Sequence, residues 1–410
     1  MSRPVVEVAD VIRAFGPAFE EEYGHAISSA QRQAMNAIVK CRTAAMGGHV
    51  EACDGCGYQR IAYNSCRNRH CPKCQAAARA EWLDRQSRDL LPVEYFHVVF
   101  TLPNNLGPVA FQNPKLVYGL LFQAVADSLT ELAADPKRLG AEIGFLAVLH
   151  TWGQTLTLHP HVHCVVPGGG LSPDGARWIP CRPGFFLPVQ PLSQLFRGKF
   201  LAGLSDLHAR GCLTLAGSLQ YLAAPTQFAA WLDELRRTDW VVYAKPPFGG
   251  PEQVLKYLAR YTHRVAISNH RLLSQDANTV SFRWKDYADG NATKTMTLDG
   301  VEFVRRFLQH VLPSGFVRIR HFGFLANRCR GEKLTRCREL LGQSRQQAQP
   351  SDEEALELCD GIQGDDQAGS LSPPTPRWCP ACGVGRMVVV ELFSGTTPPE
   401  LCAVTTTNTS

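Results

Sequence analysis

Leu156-Thr157-Leu158-His159-Pro160-His161-Val162-His163-Cys164-Val165-Val166-Pro167-Gly168-Gly169-Gly170 is an apolar run studded with histidines and closed by a proline–glycine stop. Its β-branched residues and that stop predict a buried strand of ordinary length. Alternate side chains of a strand share a face, so His161 and His163 point the same way. Two imidazoles one strand step apart can hold one divalent cation from one side and leave its far side to substrate oxygens. A histidine pair of this kind is by default two satisfied residues, so its neighbours must decide.

Working outward, residues 95–103 read as a strand stopped by Pro103-Asn104-Asn105, 115–134 as a helix, and 144–150 as a strand leading into the histidine strand. His97 and His150, on those strands, read as satisfied core histidines. Downstream, 168–192 is loop-rich: its glycine triplet is a flexible exit and lacks the Gly-Lys-Ser/Thr of a nucleotide-binding loop. Residues 193–210 and 225–237 read as helices, and 240–244 as a strand. Gly250-Pro251-Glu252 then opens another helix. Tyr257 and Tyr261 lie four apart on one of its faces, with Lys256, Arg260 and Arg264 on an adjacent one. A tyrosyl oxygen can attack phosphorus to form a phosphotyrosine, and flanking cations suit a phosphodiester substrate.

His161-Val162-His163 followed by Tyr257-x-x-x-Tyr261 resembles the HUH (His-hydrophobic-His) two-tyrosine endonucleases. The text from Tyr257 to Ser268 is similar to that of rolling-circle insertion-sequence transposases of the IS91 type, and the resemblance runs from the N-terminal cysteines to Arg328. It implies an α+β fold: a ferredoxin-like antiparallel sheet with helices on one side, the HUH nuclease core, preceded by a small cysteine-rich module. It further implies that Mg²⁺ or Mn²⁺ on His161 and His163 polarises a scissile phosphate of single-stranded DNA at an element end, hairpin-forming ends included. Tyr257 or Tyr261 attacks to leave a 5′-phosphotyrosine, and the stored bond needs no nucleotide cofactor for rejoining. A third metal ligand is required, and Gln154, His159 and His263 are on offer. A plasmid or phage replication initiator or relaxase would share this core, and a non-enzymatic zinc-dependent DNA-binding regulator would need only the cysteine and arginine modules.

The cysteines form the second signal. The chain has 15, an odd number with paired spacings, which favours metal binding over a disulfide framework. Cys53-x-x-Cys56 and Cys71-x-x-Cys74 are expected to close one tetrahedral Zn²⁺ site that holds structure, with His49, Cys66 and His70 as surplus ligands. Cys379-x-x-Cys382 is a further knuckle with no second pair after it, so Cys359 or Cys402 is a candidate to complete a second zinc.

Arginine is the third. Arg60, Arg67, Arg69, Lys73 and Arg79, interleaved with Tyr58 and Tyr63, suggest a DNA-facing surface or a solvated face. Arg318, Arg320, Arg328 and Arg330 are candidates for phosphate-backbone contact. Between these regions a hairpin over 279–287 and 292–298 puts Phe282 and Trp284 on one face, either a core face or a base-stacking platform.

Composition is compatible with this reading. A net charge of +5 permits a nucleic-acid partner without demanding one, and 45% hydrophobic residues is ordinary for a globular protein. No run is expected to span a membrane and the N-terminus lacks a signal-peptide pattern, so a cytoplasmic location is expected. The expected order is a helical region (1–48), a zinc module (49–90), a nuclease core with the tyrosine helix (91–272), a basic extension (273–340), an acidic linker (341–377) and a knuckle with its tail (378–410).

Overall fold

The computed structural model describes residues 4–248, 253–254, 266–342 and 378–395. Outside them lie Lys256, Tyr257, Arg260, Tyr261, His263 and Arg264, most of the expected linker with Cys359, and the tail with Cys402. The chain divides into two compact units. One comprises Trp82–Thr262 and Arg306–Gly361; the other comprises Met1–Glu81, His263–Arg305 and Ile362–Ser410.

The histidine strand lies in the middle of the first unit. Its sheet is built from β1 (Tyr95–Thr101), β2 (Gly144–Trp152), β3 (Leu158–Pro167), β4 (Val242–Phe248) and β5 (Ile319–Gly323), in the spatial order β5-β2-β3-β1-β4. Every ladder is antiparallel. Helix α1 (Pro114–Ala134) connects β1 to β2, while α2 (Val189–Ala209) and α3 (Pro225–Arg237) connect β3 to β4. The two crossovers interleave, so β3 returns between the strands of the first crossover and β1 lies between those of the second.

Strand alternation sorts the sheet into two faces. Phe96, Val98 and Phe100 of β1, Phe145, Ala147 and Leu149 of β2, and Val162, Cys164 and Val166 of β3 all enter one core with α1, α2 and α3. Each fully buried phenylalanine there contributes about 2–3 kcal/mol. The other face carries Val148 and Val165 together with the histidines, and a second, smaller cluster forms there around Tyr95, Leu146, Val148, Val165 and Val254. An antiparallel sheet with its crossover helices α1, α2 and α3 packed on one face makes this an α+β unit.

Helix α1 is long and apolar enough to cross a membrane by length and composition alone, and its buried side chains, among them Leu121, Phe122 and Val125, belong to the core. One local expectation is corrected here. The glycine triplet is not a loose exit: Gly169–Leu171 is a strand paired with Trp178–Pro180. The Glu142 carbonyl approaches Gly170 so closely that a Cβ would collide with it, which is why the backbone there needs glycine.

In the second unit, Val8–Tyr23 and Ser29–Lys40 are amphipathic helices, the latter started by a Ser28–Gln31 capping box. A three-stranded sheet places Gly48–Cys53 between Gln59–Tyr63 and Met387–Phe393. The last of these strands was expected to be part of a knuckle and tail. A second sheet places Thr279–Asp286 between Leu272–Gln275 and Ala292–Asp299. Phe282 on its central strand is fully buried and packs edge-on against Phe303 of helix Gly300–Leu308. Its ring therefore belongs to a core face and cannot stack on bases. Trp284 stays half-buried, with the Lys294 ammonium 6.0 Å from its ring centre.

Candidate metal centres

His161 and His163 do share a face of β3, and the register brings a third imidazole to them. Across the β2–β3 ladder His150 sits opposite His161 and Val148 opposite His163. Directly opposed residues of an antiparallel pair lie on one face. One ring nitrogen from each of His150, His161 and His163 lies within 4.8 Å of the other two, close enough for one ion to draw together. His150, read from sequence as a core histidine, is thus the third imidazole of the set. Of the three candidates expected there, Gln154 sits in the turn before β3, His159 engages Asn104 at 3.3 Å, and His263 lies outside the described residues. Hairpin arithmetic alone would have missed His150: with Trp152 opposite Leu158, position 150 should face 160, and a register shift between His150 and Trp152 brings it opposite His161 instead.

The rings are held as metal ligands usually are, through the nitrogen that does not coordinate. His161 Nδ1–H donates to the His159 carbonyl at 2.7 Å, which leaves Nε2 for an ion. His163 Nδ1 pairs with His97 Nε2 at 2.8 Å, the two rings lying nearly parallel. For His163 to coordinate through Nε2, its Nδ1–H must donate to His97, which then carries its own proton on Nδ1. Burial pushes the His161 pKa down to about 4, so its imidazole is neutral at physiological pH, as a ligand must be. His150 is further fixed by stacking on Trp152, with ring centres 4.6 Å apart.

The turn that aligns β2 with β3 is strained and braced. Leu156 adopts φ 61°, a left-handed conformation costly for a side chain of its size, yet it is fully buried. His310 holds it: Nε2–H donates to the Leu156 carbonyl at 3.1 Å, while the Thr151 hydroxyl donates to Nδ1 at 3.2 Å. Burial lowers the His310 pKa to about 4, so this bracket works as the neutral ring.

The cysteines correct the expected pairing. Cys53, Cys56, Cys71 and Cys74 do not converge. Instead Cys71 and Cys74 join Cys41 and Cys66, and Cys53 and Cys56 join Cys379 and Cys382. In the first group the Sγ atoms of Cys41 and Cys66 lie 3.5 and 3.6 Å from that of Cys74. A tetrahedron with Zn–S arms of about 2.3 Å has edges of about 3.8 Å, whereas a disulfide needs about 2.05 Å. These thiols therefore fit a structural zinc. Cys41 comes from the end of helix Ser29–Lys40, too far from any second cysteine to form a sequence motif. The surplus His49 faces Glu51 at 3.4 Å.

The basic candidates are used unequally. Arg320 stacks its guanidinium 4.2 Å from the Phe122 ring centre, and burial lowers its pKa. Arg330 pairs with Asp89 at 3.3 Å, and Arg318 is half-buried. Arg328 is exposed and, among the described residues, forms no ion pair. In the cysteine region Arg60 pairs with Glu51 and Lys73 with Glu7.

Comparison with known proteins gives consistent matches. A family model described as "Putative transposase" matches residues 144–333, and one described as "Transposase zinc-binding domain" matches residues 11–102. The chain is 54% identical over 402 residues to "Putative transposase y4qJ" of Sinorhizobium fredii (strain NBRC 101917 / NGR234), covering 98% of this chain and 99% of that protein. It is 29% identical over 376 residues to "Transposase for insertion sequence element IS801" of Pseudomonas savastanoi pv. phaseolicola, covering 88% and 83% respectively. No solved structure matches.

Proposed function

The chain belongs to the IS91-type transposase family, and from that premise we propose that it nicks and rejoins single-stranded DNA at the ends of its insertion sequence through a 5′-phosphotyrosine link. The observation that carries this reading is the convergence of His150, His161 and His163 on the face of an antiparallel sheet opposite its three crossover helices. The strand order agrees with the ferredoxin-like core of HUH nucleases. Val254, in the helical pair 253–254 where the tyrosine segment begins, is fully buried against that same face.

A divalent ion bound by the three imidazoles would polarise the scissile phosphate and offset the charge that builds on it. Three neutral nitrogens are softer donors than carboxylates, so Mn²⁺ suits the set better than Mg²⁺. The chain's own work is to hold the rings. His97 fixes the tautomer of His163, the His159 carbonyl fixes that of His161, and Trp152 backs His150. Tyr257 or Tyr261 attacks phosphorus, the 3′-oxygen leaves, and the DNA 5′-phosphate stays on the tyrosine until a 3′-hydroxyl displaces it. Lys256, Arg260 and Arg264 flank the tyrosines to meet the strand, and Arg328 offers a further phosphate contact.

The test is a denaturing gel of labelled single strands from the element ends, incubated with the protein and Mn²⁺ or Mg²⁺. A protein-linked label lost in Tyr257→Phe/Tyr261→Phe and in His161→Ala/His163→Ala supports the reading. Metal-independent DNA binding with no adduct on any end points instead to a zinc-dependent regulator.

A further inference from the structure

The second cysteine group is a built site formed from opposite ends of the sequence. Cys53 and Cys382 are 329 positions apart, yet their Sγ atoms lie 3.7 Å from each other; Cys56 and Cys379 are also 3.7 Å apart. Both edges match those of a four-thiolate zinc tetrahedron.

The two halves have the same local design. Each reads Cys-x-x-Cys-Gly, as Cys53-Asp54-Gly55-Cys56-Gly57 and Cys379-Pro380-Ala381-Cys382-Gly383. Each closing glycine is left-handed, Gly57 at φ 70° and Gly383 at φ 71°. Each donates its N–H to the carbonyl of the first cysteine, at 3.1 Å and 2.9 Å. In each, backbone N–H groups point at sulfur: Gly55 and Cys56 at Cys53, Ala381 at Cys379, and Gly385 at Cys382. Such donors stabilise thiolates, and two facing knuckles of this form make a metal cage.

The surroundings fit the same purpose. Asp54 accepts from the Arg386 N–H at 2.7 Å, and its own N–H donates to the Arg386 carbonyl at 3.0 Å, locking one knuckle to the other. A Cβ on Gly385 would collide with Cys53 Sγ, so the close approach requires glycine. Met387 packs on Cys53 and Cys379, and from there Met387–Phe393 runs antiparallel along Gly48–Cys53.

We infer that Cys53, Cys56, Cys379 and Cys382 bind a second structural Zn²⁺, forming a split zinc ribbon that fastens the 378–393 segment to the N-terminal sheet. The chain then carries two zinc ions in separate sites, one local and one closing the ribbon. The inference is independent of the nicking chemistry, because an inactive protein would still bind both.

Full-length protein purified with Zn²⁺ tests it, with His150→Ala/His161→Ala/His163→Ala as the reference background, because the three imidazoles could themselves take up zinc. Metal analysis should give two zinc per chain. Cys379→Ser/Cys382→Ser should give one, and the quadruple variant that also carries Cys53→Ser/Cys56→Ser should still give one, because all four ligands serve the same ion. One zinc in the reference background, unchanged by adding Cys379→Ser/Cys382→Ser, overturns the inference. A second readout needs no variant: under graded chelator, alkylation mapped by mass spectrometry should expose Cys53, Cys56, Cys379 and Cys382 as one group, apart from Cys41, Cys66, Cys71 and Cys74. Exposure of Cys53 and Cys56 together with Cys71 and Cys74 would also overturn it.

Discussion

The histidine face and the cysteine sites are both metal-ready, but they were assembled in different ways. The histidines come from two strands joined by one tight turn, so position along the chain determines position in space to within the one-residue register shift between His150 and Trp152. The cysteine knuckles are equally local as motifs, yet any CxxC can partner any other. A motif that supplies half a coordination shell identifies the metal chemistry and leaves the partner open. A hairpin that supplies three ligands settles both.

The largest effect that would test this contrast lies on the histidine side. His161→Ala or His150→Ala should reduce Mn²⁺-dependent cleavage by about 10³-fold or more, measured as the initial rate of adduct formation, since the ion's share of transition-state stabilisation is several kcal/mol. If His150→Ala left the rate and its Mn²⁺ dependence intact, the third corner would have to be reassigned, and Gln154 and His263 would return as candidates.

Next comes the local cysteine site. Cys66→Ser should abolish one zinc and destabilise its unit by several kcal/mol, read as a lower midpoint in chemical denaturation. The sequence reading left Cys66 as a surplus ligand and did not consider Cys41. Sparing of zinc content by Cys66→Ser would therefore restore the simpler pairing.

That misreading has a physical cause. The order of strands and helices in the larger unit was legible because alternation at positions 95–101, 144–150 and 158–166 and amphipathic runs such as 225–237 are local properties. His161 and His163 were legible for the same reason. His150 was overlooked because its strand reads as fully apolar, and a lone histidine in such a strand is usually a core residue. The knuckle at Cys379 was seen but not matched, although the repeated Cys-x-x-Cys-Gly form at 53–57 and 379–383 was available as a signal. Phe282 gave the reverse case: an aromatic beside arginine and lysine in the sequence, and simply core in the fold.

Acid should probe the strained turn between the two histidine strands. The His310 pKa lies at about 4 in the folded chain against about 6.5 when exposed, so between these values the unfolded chain holds the extra proton. Its contribution to stability is complete above pH 6.5 and is lost as pH falls toward 4. Between pH 7 and pH 5 the loss amounts to about 2 kcal/mol, from roughly 1.4 kcal/mol per unit over the interval from 6.5 to 5. Urea denaturation at the two pH values should show at least that loss in the wild type, where buried His161 adds its own in the same window, and a smaller one in His310→Gln.

The smallest effect is expected at His97, which reaches an ion only through His163. His97→Ala should weaken Mn²⁺ dependence by about 10–100-fold, seen as a raised metal concentration at half-maximal rate with little change in the rate at saturation. A collapse of the saturated rate would mean that His97 itself meets the substrate.

The pairing of Met387–Phe393 with Gly48–Cys53 also has a consequence during synthesis. At about 5–20 residues per second, the N-terminal strand emerges from the ribosome tens of seconds before its last neighbour exists. Until then its outer edge has unpaired backbone groups and is exposed to other chains. A message cut short anywhere before residue 378 would leave that edge permanently open, so the ribbon also distinguishes a finished product from a fragment.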